Sequence, residues 1–157
     1  MPLSFDSSSP DQIRAFAGAL PPKRPGEAPG LDEWRHSDVL GSENPENLDW
    51  GKSMREVATV ATLDDLPLVV VTAHLGQFPP PADRYLAPVW ARLQNGLARL
   101  SSRSVHVIAL RSSHFVMQDQ PDVVVAAVRA AVAAARDDGR LPSCAHLFRM
   151  AATRCVS

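Results

Sequence analysis

Of the side chains in this chain that can carry chemistry, one histidine stands apart by its setting. His114 follows a β-branched apolar run, Val105 to Leu110, and a polar bend, Arg111-Ser112-Ser113. After it come Gln118-Asp119-Gln120-Pro121-Asp122 and then a long helix, with proline and aspartate suited to a helix start. An imidazole titrates near neutral pH and can accept a proton from a reacting group. At the C-terminal end of a strand it lies where open α/β sheets place their ligands. The other histidines, His36, His74, His106 and His146, lack metal-ligand spacing such as H-x-x-x-H, and His106 falls inside the predicted strand. No metal and no cofactor is therefore expected. Ser112 and Ser113 directly precede His114, and an extended bend keeps their hydroxyls off its ring, so neither is expected to be a nucleophile. The carboxylates between Glu43 and Asp49 read as a solvated turn and a helix cap.

The elements that must position His114 follow from periodicity. Leu66 to Thr72 and Val105 to Leu110 are apolar at nearly every residue, which is the pattern of strands covered on both faces in a parallel sheet. Between them Leu86, Trp90, Leu93, Leu97 and Leu100 are spaced by three or four and predict a helix, with Pro88 placed in its first turn. A second helix, Pro121 to Arg136, is almost all Val and Ala and is expected to be mostly buried, and Asp137-Asp138-Gly139 stops it. Asp49 is expected to cap a helix over Trp50 to Val60. Ser7 to Asp11 are expected to cap another helix through Gln12 to Leu20, and Pro29-Gly30 to mark a turn. The fold class is thus α/β: parallel strands with flanking helices, preceded by an irregular Pro-rich N-terminal extension. The expected divisions are 1–42 as that extension, 43–140 as the α/β body, and 141–157 as a tail. In the tail Cys144 and Cys155 either pair or remain free thiols.

Composition bounds the function. The chain has 157 residues, 45% hydrophobic and 21% charged, which suits one domain of ordinary globular make-up. A net charge of -1 argues against nucleic acid as a partner. No apolar run approaches the roughly 20 residues needed to span a bilayer. Met1 to Asp6 lack the pattern of a signal peptide, so a cytoplasmic location is the default expectation.

Strand, Ser112-Ser113-His114-Phe115, Asp119-Gln120-Pro121-Asp122 and Val124-Val125-x-Ala127-Val128, in that order, resemble the last strand, catalytic-histidine loop and final helix of the α/β-hydrolase fold. Leu66 to Ala73 resemble the preceding core strand, and Trp90, Gln94, Leu97, Leu100 and Ser101 the helix between the two. The resemblance covers roughly 43 to 140 and implies a hydrolase of ester-like bonds in small molecules, with His114 as catalytic base and no cofactor. It also implies that the first 40 residues fall in the cap region, and that Cys144 and Cys155 suit an exported relative. Such a hydrolase needs a serine on a G-x-S-x-G turn, and the 157 residues contain none. The nucleophile and the oxyanion donors are expected upstream of Met1. The usual acid position, in His74-Leu75-Gly76-Gln77-Phe78, has no carboxylate, and Asp83 is the first downstream. Some members carry the acid after the sixth strand, and that strand is expected to be absent.

The expectation is therefore the C-terminal part of a hydrolase, inactive alone. The open side of Leu66 to Thr72 would expose several hundred Å2 of apolar surface, forfeiting on the order of 10 kcal/mol. It would offer an edge to a missing N-terminal half or to a second copy. The alternatives are a non-catalytic interaction module and a small α/β domain that binds a ligand beside His114.

Overall fold

The computed structural model describes residues 3–27, 29–35, 49–137, 140–149 and 151–156. The chain divides into two compact units. The first comprises Met1–Ser7, Thr62–Gln77 and Gln94–Ser157, and the second Ser8–Ala61 and Phe78–Leu93.

The first unit is built on a four-stranded sheet in the order β1 (Leu3–Phe5), β2 (Leu68–Ala73), β3 (Ser104–Ala109), β4 (Thr153–Val156). β1, β2 and β3 run parallel, with Leu3 opposite Val69 and Leu68 opposite Ser104; β4 is antiparallel, with His106 opposite Val156. All six residues of β2 are buried, as expected of a strand covered on both faces. Side chains alternate between those faces. Val69, Val71 and Ala73 join Val107, Ala109, Val116, Val123, Ala127 and Phe148 in one core, while Leu68 and Val70 pack with Ala98 in another.

Two expectations change here. The side of β2 thought to be open is paired by β1, so Leu3–Phe5 are a strand rather than the start of an irregular extension. A three-residue strand shows too little alternation to be read from sequence. The helix α6 (Pro121–Arg136) has the expected bounds, but buries only one side: Val123, Ala127, Ala130, Ala131 and Ala134 are buried, whereas Val125, Val128 and Val132 are exposed. The tail closes on the sheet through β4 and the disulfide Cys144–Cys155, which resolves the open alternative in favour of pairing. One turn, α7 (Cys144–Leu147), precedes it, and another, α5 (Val116–Asp119), follows the His114 loop.

The second unit holds α1 (Gln12–Ala19), α2 (Pro29–Arg35), α3 (Trp50–Val57) and the first part of α4 (Asp83–Ala98). Phe16 meets Phe78 edge-on at 5.4 Å between ring centroids, and Phe78 meets Trp34 at 5.3 Å. Trp90 and Leu86 complete that core. Pro29, expected in a turn, is instead the first residue of α2, where its missing N–H has no helical partner to lose. Pro88 lies inside α4, five residues past its start rather than in the first turn. The Asp49 carboxylate caps α3 by accepting from Lys52 N at 2.8 Å, as expected. The acidic run 43–48, His36 and the stop at 138–139 lie outside the described residues.

Candidate active site

Asp6 ends β1 with φ +46°, a left-handed conformation that aspartate tolerates better than most residues. This turn leaves Asp6 N donating to Val71 O at 2.7 Å and folds the side chain back against β2. Oδ1 there accepts from Ala73 N at 3.0 Å. The carboxylate is fully buried, and Oδ2 lies 2.9 Å from His114 Nδ1. A carboxylate can only accept, so Nδ1 carries the proton. Nε2 is thereby left with its lone pair, on a side chain 62% exposed. The two residues are 108 positions apart in sequence, and adjacent strand ends bring them together.

The loop after β3 is fixed by its own polar groups. Ser112 O accepts from His74 N at 3.1 Å and Leu75 N at 2.8 Å, which ties the loops after β2 and β3 together. Asp119 Oδ2 accepts from Ser113 N at 2.8 Å and from Ser113 Oγ at 2.6 Å. Those donors, the hydroxyl first, hold the Asp119 carboxyl below its usual range. Gln120 Oε1 accepts from Arg111 N at 2.7 Å, and its Nε2 donates to Ala152 O at 3.2 Å, fastening the loop to the start of β4. Phe115 sets its ring edge-on to the imidazole of His114, with centroids 5.5 Å apart.

The arrangement has the parts of a general base and its orienting acid. The carboxylate fixes the tautomer and turns Nε2 outward, the geometry in which an imidazole can accept a proton. Ser112 Oγ donates to Ser113 O and Ser113 Oγ to Asp119, so neither hydroxyl is directed at the ring. Asp83 is an exposed residue in the first turn of α4. His74 is exposed just past β2, and His146 is exposed in α7.

His106 lies buried in β3 with Nε2 2.8 Å from Thr72 Oγ1, and burial pushes its pKa down to about 4. Among the described residues no cluster of three or more His, Cys, Asp and Glu gathers as a metal site would require. A groove of about 910 Å3 includes Arg103, Ser104, Arg140 and Cys144 in its lining. It opens at the end where β3 begins, opposite the His114 loop.

Sequence reasoning singled out His114 but not Asp6, the carboxylate bonded to it. The available signal was Leu3-Ser4-Phe5-Asp6 followed by Ser7-Ser8-Ser9-Pro10, a short apolar piece closed by a carboxylate and a turn-forming run. No protein-family model, no curated protein and no solved structure matches the chain.

Proposed function

We propose that this chain supplies the base and the orienting acid of a Ser-His-acid hydrolase on an α/β-hydrolase-like sheet, with His114 as base and Asp6 as acid. The observation that carries this reading is the 2.9 Å bond from a histidine at one strand end to a fully buried carboxylate at another. In this reading β1 stands for the strand after which some members of the family place their acid, and substrates are small molecules with ester-like bonds. The serine lies outside these 157 residues, which hold no G-x-S-x-G. Among the described residues β1 is the last strand of the sheet, and its outer edge could pair with one more parallel strand whose C-terminal end would arrive beside Asp6. That edge, unpaired among the described residues, also favours the second reading, an interaction module that docks through it.

Chemical modification tests the pair without needing turnover. Diethyl pyrocarbonate acylates a free imidazole lone pair, and the expected result is faster reaction at His114 than at His74. In Asp6→Asn the amide oxygen must stay on Ala73 N, which turns the NH2 toward His114 Nδ1 and moves the ring proton to Nε2. Modification of His114 should then slow, and an unchanged rate would refute the orienting role. A fluorophosphonate probe should label no serine of this chain. A labelled serine, with p-nitrophenyl ester turnover lost in His114→Ala, would overturn the placement of the nucleophile elsewhere.

A further inference from the structure

We infer that Gln94 is a positioning residue for the Asp6–His114 pair, acting through the carbonyl of Ser7; this rests on reading the pair as a base and its acid. Gln94 is fully buried in α4, an unusual place for an amide that must satisfy both its oxygen and its nitrogen. Its Nε2 donates to Ser7 O at 2.8 Å, and its Oε1 lies 3.4 Å from Thr72 Oγ1, which in turn meets His106 Nε2 at 2.8 Å. One ordering gives each of these three contacts a donor and an acceptor. His106 Nε2–H donates to Thr72 Oγ1, the Thr72 hydroxyl donates to Gln94 Oε1, and the Gln94 amide donates to Ser7 O. The other tautomer would bury an N–H at Nδ1, which has no partner among the described residues, so the lone pair belongs there. His106 stays neutral at pH 7, as this ordering requires.

The chain of bonds ends one residue beyond Asp6. The left-handed φ of Asp6 is held on one side by Asp6 N donating to Val71 O. On the other side Gln94 holds the carbonyl of Ser7, one peptide further along the turn. Releasing that second anchor frees the turn to relax toward an ordinary conformation, and the carboxylate swings off both Ala73 N and His114 Nδ1. Polar groups in β3, β2 and α4 thus determine where a carboxylate at the end of β1 points.

The test uses Thr72→Val and Gln94→Met, which keep shape and remove the relay, and Thr72→Ser, which restores the hydroxyl. Two signals read the position of Asp6 directly. One is the tautomer of His114 in long-range 1H–15N spectra, and the other is hydrogen exchange at the Ala73 amide, which Asp6 Oδ1 accepts. In the unsubstituted chain and in Thr72→Ser, His114 is expected in the Nδ1–H form with Ala73 protected. In Thr72→Val and Gln94→Met, His114 should shift toward the Nε2–H form preferred by free imidazole. Ala73 should exchange about tenfold faster, the scale of one lost hydrogen bond. Folded variants that keep both signals unchanged would overturn the role of Gln94 and leave the pair standing. Absence of the Nδ1–H form in the unsubstituted chain would overturn the pair, and this inference with it.

Discussion

Two buried polar side chains of the sheet unit, Asp6 and His106, differ in their hydrogen-bond partners. Asp6 meets two hydrogen-bond donors, Ala73 N and His114 Nδ1. His106 has one hydroxyl partner and little solvent, so it is held neutral, its pKa lowered from 6.5 to about 4. The unfolded chain binds a proton on this ring near pH 6.5. Between there and about pH 4 the unfolded state therefore holds more protons than the folded one, and stability falls as the pH drops through that window. Denaturant unfolding at pH 7 and pH 4 measures the effect. The loss on acidification is expected to be smaller in His106→Asn than in the unsubstituted chain, and equal losses would show that His106 is not the group responsible.

At the scale of elements, α6 separates valines by role. Val123 is fully buried against β2 and β3, whereas Val128 is exposed. Val123→Ala should cost about 2 kcal/mol through lost contact and a partly unfilled space. Val128→Ala should stay within about 0.5 kcal/mol. Urea unfolding of the two variants distinguishes them, and similar losses would contradict the orientation of the helix. This contrast also marks where sequence reading runs out. The bounds of α6, Pro121 and Arg136, are legible because proline and aspartate start a helix and an apolar run continues it. Its inward face is not, because valine and alanine are both apolar and the pattern carries no phase. The parallel pair β2 and β3 and the helix between them are legible for a similar reason: continuous apolar runs bounded by polar bends. β1 and β4, at three and four residues, are too short to show a period and form because β2 and β3 offer them edges. His114 was visible because it follows a recognisable strand; Asp6 was hidden because its strand was.

For the molecule as a whole, the disulfide closes what would otherwise be a loose end. Cys144 and Cys155 are 11 residues apart, and their bond joins α7 to β4. A loop of this size limits the unfolded chain by about 2–3 kcal/mol, equivalent at this chain length to roughly 5–10 °C in Tm. Thermal unfolding with and without a thiol reductant should show a drop on that scale, matched by the Cys144→Ala/Cys155→Ala double variant. An unchanged Tm would mean β4 holds to β3 without the bond.

Parallel pairing of Leu3 with Val69 carries a demand on how this protein is assembled. Slippage of that strand by a single position would turn every side chain to the opposite face and withdraw the carboxylate from the imidazole. Misthreaded copies would keep nearly all their apolar contacts yet lose the bond that holds the ring proton on His114 Nδ1. The share of His114 in the Nδ1–H form in a refolded sample would then count correctly aligned molecules more strictly than any measure of compactness or helix content.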